Sequence, residues 1–229
     1  TYTLSYNVSD AAGNAATSVA RTVNVVDAAI PFTLVIPADL TVNAAGFLTA
    51  VDLDPEDVAS AIYGDGIAID VVADQLGPFQ SGRYEIVWSA TNAGLTVTDT
   101  QILKVVPMVN LGVDVTTTEG SNLSIDVLLS GQAADYPVSI PFTVSGTAAE
   151  GDDYTVGSTG SVIITEGKIA SISLSIVADE AAESEENVVI TLGEATNAVL
   201  GVNTDQAITI VEGNLPPKVT LQVSQAGIA

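Results

Sequence analysis

Ser171–Ala178 reads SISLSIVA, with Ile172, Leu174 and Ile176 separated by Ser171, Ser173 and Ser175. Such two-residue alternation marks a β-strand with one face buried and one in water, because successive side chains of an extended chain point to opposite sides. NLSIDVLLSG (residues 122–131) repeats it with Leu123, Ile125, Val127 and Leu129. PVSIPFTVSG (residues 137–146) does so with Val138, Ile140, Phe142 and Val144. Gly, Asn, Asp and Pro punctuate these runs at short intervals, as the turns of antiparallel hairpins and Greek keys do. The pattern predicts an all-β chain folded as more than one β-sandwich.

Strands that end in linker chemistry place the boundaries. VVDAAIPF closes a first segment at residues 1–27, VVPMVNLG a second at 28–107, and VEGNLPPKV a third at 108–213, leaving 214–229. Pro216 and Pro217 donate no backbone N–H and stiffen the chain, which suits a semi-rigid joint between modules. Residue 1 is Thr, and the chain reads as an internal piece of a longer array with a half-module at each end.

Composition narrows the chemistry. With 28 Asp+Glu against 5 Lys+Arg the net charge is -23, which repels nucleic acid and anionic membrane surfaces and leaves cations as the natural complement. There is no Cys and no His, so any metal site is built from oxygen, and oxygen-only sites suit calcium first and magnesium second. The same absences remove the usual partners of a nucleophilic Ser or Thr. Aromatic residues at 5% offer no sugar-stacking groove for paired carboxylates to serve. No apolar run is long enough to span a bilayer. These features predict no enzyme, no nucleic-acid partner and no direct membrane insertion.

Residues 1–27 hold two strand patterns joined by an Asp10–Asn14 turn, a pair that exposes an apolar face and is marginal alone. Tyr2, Tyr6, the D-x-x-G-N turn and Arg21-Thr22-Val23 resemble the closing hairpin of bacterial immunoglobulin-like repeats. PKVTLQVSQAGIA, from Pro217, is similar to the opening strand of a following module. In residues 28–107, GRYEIVWSATNAG alternates Tyr84, Ile86 and Trp88 onto one face, which places the single Trp in a core. This stretch resembles hyalin-repeat and related immunoglobulin-like domains, with Asn92 where an Asp is usual and an acidic DLDPEDVASA loop in place of the usual one.

Residues 109–212 resemble the Calx-beta domain family most specifically. They carry Glu119-Gly120, then Gly146-Thr147-Ala148 with Gly151 and Asp153-Tyr154, then Gly160, Val162, Ile164 and Gly167, and finally DEAAESEENVVITL from Asp179 to Leu192, all in the family's order. The resemblance implies tandem antiparallel immunoglobulin-like β-sandwiches and a calcium site at one end of the 108–213 module. By position, its oxygen ligands are Glu119, Asp153, Asp179, Glu183, Glu186 and Glu212. Ala178 stands where the family has the first of two aspartates, and Glu212-Gly213-Asn214 replaces a run of aspartates, so the resemblance implies fewer or weaker sites than in the strongest binders.

The acidic stretch has two readings. Acidic runs are commonly solvated faces. Were Asp179–Glu186 helical, Asp179, Glu183 and Glu186 would repel along one side, and bound calcium would turn that repulsion into coordination. The acidic cluster at Asp52–Asp57 lacks the odd-position spacing and closing Glu of an EF-hand loop and reads as solvated. The expected function is a stalk or adhesin segment of a large bacterial surface or secreted protein. In it, calcium stiffens the end of the 108–213 module and its joint to neighbouring modules of the same chain. A glycan- or protein-binding module, an accessory region of a secreted hydrolase, and a head-to-tail self-associating fibre are the alternatives.

Overall fold

The computed structural model describes residues 1–25, 31–64, 66–157, 160–179 and 184–213. The expected opening strand of a following module, in 214–229, therefore lies outside the described residues. The architecture is all-β: nineteen strands and one four-residue helix are described. Contacts divide the chain into two compact units. Unit 1 comprises Thr1–Pro37, Leu53–Gln75 and Val87–Gln101; unit 2 comprises Ala38–Asp52, Leu76–Ile86 and the chain from Ile102 onward.

Unit 1 opens with the hairpin of β1 (Tyr2–Tyr6) and β2 (Val19–Val23), paired antiparallel from Tyr2 opposite Val23 to Tyr6 opposite Val19. Asp10 shapes the connection. Its Oδ1 accepts from the N–H of Ala12 and of Asn14, and its Oδ2 from Asn14 Nδ2, all at 2.9 Å. Tyr2, Leu4, Tyr6 and Val19 lie on one face and are about half or more exposed, as an isolated hairpin requires.

Further along come β3 (Thr33–Val35) and β4 (Leu40–Asn43), α1 (Pro55–Val58), β5 (Ser60–Tyr63), β6 (Ile67–Ile69), β7 (Val71–Ala73), β8 (Gly82–Asn92) and β9 (Leu95–Val106). One sheet has the order β3-β5-β6 and another β4-β9-β8-β7. Trp88 is fully buried, and its Nε1 donates to Gln101 Oε1 at 3.2 Å. The Asp52–Asp57 stretch folds as a helix start. Asp54 is the N-cap and accepts from Glu56 N, with Pro55 in the first turn. A capping acid followed by Pro and two more acids is a helix-start signature, so local backbone chemistry accounts for Asp54.

Unit 2 contains the larger sandwich, made of β10 (Met108–Leu111), β11 (Val115–Thr118), β12 (Asn122–Leu129), β13 (Val138–Gly146), β14 (Tyr154–Val156), β15 (Ser161–Ile164), β16 (Ile169–Ile176), β17 (Glu186–Leu192), β18 (Val199–Leu200) and β19 (Asp205–Val211). Its sheets have the orders β14-β16-β12-β10-β18 and β11-β19-β17-β13-β15. Ile125, Val127, Ile140, Ile172 and Leu174, drawn from the alternations read above, lie in one continuous core with Ile190 and Ile208. Burying each such side chain contributes roughly 1.5–3 kcal/mol.

Pairing is not purely antiparallel. β4 runs parallel to β9, and β11 parallel to β19. In the larger sandwich the opening strand is divided: β10 joins one sheet and β11 the other, across Gly112–Asp114. The second half of this strand, β11, lies beside the closing strand β19 in the same direction.

Candidate metal centre

The end of β11 and the end of β19 carry the first two acids. Their parallel register runs from Val115 opposite Ile208 to Thr118 opposite Val211. The ladder extends one step further, since Glu119 N donates to Val211 O at 3.3 Å. Glu119 and Glu212 therefore leave adjacent strands side by side. A Cβ built on Gly213 would sit 3.5 Å from Glu119 Oε2.

Parity aims these acids inward. Val188, Ile190 and Leu192 are the buried positions of β17, and Glu186 lies on the same side two residues before them. Glu212 likewise continues the side of buried Ile208 and Ile210, and its Oε1 has essentially no solvent contact. Three neighbouring strands of one sheet thus present carboxylates at the rim of the core.

The facing sheet supplies the remainder. β14 is preceded by Asp152 and Asp153, and β16 is followed by Val177, Ala178 and Asp179. Val177 N donates to Asp153 O at 2.8 Å, and Ile176 N to Ser121 O at 2.8 Å, so these loops are tied to one another. Asp153 Oδ2 accepts from Ala149 N at 2.6 Å. Gly120 has φ of 73°, and a Cβ there would be 3.4 Å from Ala178 Cβ. Ala178 therefore abuts the Glu119–Gly120 turn.

Glu119, Asp152, Asp153, Asp179, Glu186 and Glu212 line one pocket together with Ser184, Val177 and Ile210. Five of the six expected ligands meet here. Glu183, the sixth, lies outside the described residues. Asp152 and Ser184 were not anticipated, although the adjacent Asp152-Asp153 pair was visible in the sequence. Among the described residues the lining contains no Lys or Arg. Lys168, the cation nearest in sequence, precedes β16, whereas Asp179 follows it; eight residues of strand separate the two ends, about 27 Å.

An all-oxygen donor set of carboxylates and a hydroxyl suits a hard divalent cation. The carboxylates have not closed on a common point, since among the described residues no three acidic side chains stand at metal-holding spacing. Tyr154, buried beside this pocket, has its phenol pushed above the ordinary 10.0, first by burial and then by the charges of Glu150 and Asp153.

Among the described residues no helix is long and apolar enough to cross a membrane. No family model matches the chain, and no curated protein matches it. Among solved structures it is similar to the apo form of the Calx CBD1 domain, at 19% identity over 47% of this chain and 98% of that one, with a TM-score of 0.40. The Calx CBD2 domain follows at 15% identity, covering 45% of this chain and 85% of that one, TM-score 0.39. An endo-fucoidan hydrolase of glycoside hydrolase family 107 aligns at 11% identity with a TM-score of 0.25, and this chain spans 27% of its length.

Proposed function

We propose that the chain is a non-catalytic segment of an extracellular stalk or adhesin, part of a large bacterial surface or secreted protein. In this reading its 108–213 sandwich takes up calcium at the acidic pole. The observation that carries the reading is the convergence of Glu119, Glu186 and Glu212 from one sheet with Asp152, Asp153 and Asp179 from the loops of the other. Bound there, calcium supplies charge neutralisation and a cross-link between the two sheets.

The residues divide the work. Glu119 and Glu212 hold the ends of the parallel pair β11 and β19, Glu186 the start of β17, and Asp152, Asp153 and Asp179 the loops beside β14 and β16. Closing the six-to-eight-oxygen shell that calcium prefers requires these side chains to turn inward, with backbone carbonyls or water completing it. Drawing both sheets to one ion stiffens the pole from which the chain leaves at Gly213. Affinity in the range of extracellular modules, roughly 10⁻⁴ to 10⁻³ M, fits a site that lacks a carboxylate at Ala178.

Calorimetric titration with calcium and with magnesium, paired with melting curves in chelator and in millimolar calcium, tests this. Calcium heat and a raised melting temperature are expected. No heat and superimposable melts would overturn the reading.

A further inference from the structure

The pole opposite the acidic pocket is built differently. β9 ends at Val106 and β10 begins at Met108, so Pro107 alone connects them. The loop between β12 and β13, Ser130–Pro137, folds back on this junction. Met108 N donates to Ser130 Oγ at 3.0 Å and Ser130 N to Met108 O at 2.8 Å, while Val199 N donates to Pro107 O at 3.0 Å. Lys104 Nζ reaches both oxygens of Asp135, at 3.0 and 2.7 Å.

Packing completes the junction. Gly131 is buried against Ser81 from the turn before β8; a Cβ on Gly131 would meet the Ser81 hydroxyl and lie 3.4 Å from its carbonyl oxygen. Ser81 itself is 6% exposed. The loop is stiffened from within by the Tyr136 hydroxyl, which accepts from Ala133 N at 3.0 Å and donates toward the Gly167 carbonyl, with Gln132 Oε1 2.7 Å away. Ser81, Lys104, Met108, Ser130, Gly131 and Asp135 all belong to unit 2.

We propose that this junction is a preset clasp and not a hinge, and that it holds without a cation. Residues 38–52, 76–86 and 102–107 then move as one body with the 108–213 sandwich. Stiffness along the chain becomes asymmetric, constant at Pro107 and adjustable at Gly213. The connector is a single residue whose φ is fixed. The lateral contacts across Pro107 are the hydrogen bond from Val199 N to Pro107 O and the close Gly131–Ser81 fit, with one ion pair whose partners are a third to a half exposed and which adds little by itself.

Residual dipolar couplings on the 229-residue chain test the clasp. One alignment tensor should fit the amides of 40–43, 82–86, 102–106 and the 108–213 strands, equally in chelator and in calcium. A four-residue Gly/Ser insertion between Pro107 and Met108 should keep the single tensor, because lateral contacts hold. The same insertion combined with Gly131→Val should require two tensors while each body retains its own couplings. Two tensors in the native chain, a split caused by chelator or by the insertion alone, or a single tensor in the combined variant would each overturn the proposal. Should the combined variant fail to fold, the native chain and the insertion alone still decide it. None of these outcomes depends on whether calcium binds at the acidic pole.

Discussion

Glu119 and Glu212 stand one residue beyond Thr118 and Val211, the last registered pair of the parallel strands β11 and β19, and both continue the core-facing side of their sheet. Two carboxylates held side by side repel, and like charges on directly neighbouring strands cost roughly 0.2–1 kcal/mol.

Neutralising either acid, by Glu119→Gln or Glu212→Gln, should weaken the response to calcium by removing one charged oxygen donor from the pole. In millimolar calcium the same variants should lose the calcium-dependent rise in melting temperature. Paired melts in chelator and in calcium check this, and a variant that keeps the full calcium shift would remove that residue from the ligand set.

The Trp88–Gln101 hydrogen bond joins two fully buried side chains. Gln101→Leu leaves the indole N–H buried without an acceptor, at a cost of about 1–3 kcal/mol. Trp88 fluorescence followed through urea unfolding measures it directly, since it is the chain's single Trp.

At the clasp, the Ser81 hydroxyl oxygen is buried with no hydrogen-bond partner among the described residues. Removing it costs no bond, so Ser81→Ala is expected to be neutral or stabilising by up to about 1 kcal/mol. A loss of more than that in urea unfolding would show that the hydroxyl has a partner in solution.

Asp10 makes the hairpin turn sensitive to acid. The Asn14 side-chain amide, then the Asn14 backbone N–H, and then those of Ala12 and Gly13 hold its carboxyl below the ordinary 3.8. A lowered folded value means that the contribution is complete above the unfolded value and is lost as pH falls through the folded one. Amide shifts of Ala12 and Asn14 should stay constant down to about pH 4 and move only below it, whereas Asp10→Ala should show them displaced at every pH.

The strands of the larger sandwich were legible because burial acts on every second residue. Leu123, Ile125, Val127 and Leu129, or Ile172, Leu174 and Ile176, state which face is inside before any partner is known. Trp88 was legible for the same reason. The Asp54 cap was equally local, written as an acid before Pro55, but it passed as a solvated acidic loop. Asp152 was visible beside Asp153, yet nothing in the sequence indicated that both line the pocket.

Sequence by itself determined the all-β class, the oxygen-only donor chemistry and the acidic candidates, since alternation and composition are properties of the chain read along its length. Tertiary structure alone decided that Glu119 lies beside Glu212, that Lys168 sits a strand's length away from the acids, and that Gly131 fits against Ser81. These depend on register and strand order across gaps of tens of residues. Pairing energy there comes from strands brought together only in the folded state, and no local pattern encodes which ends will meet.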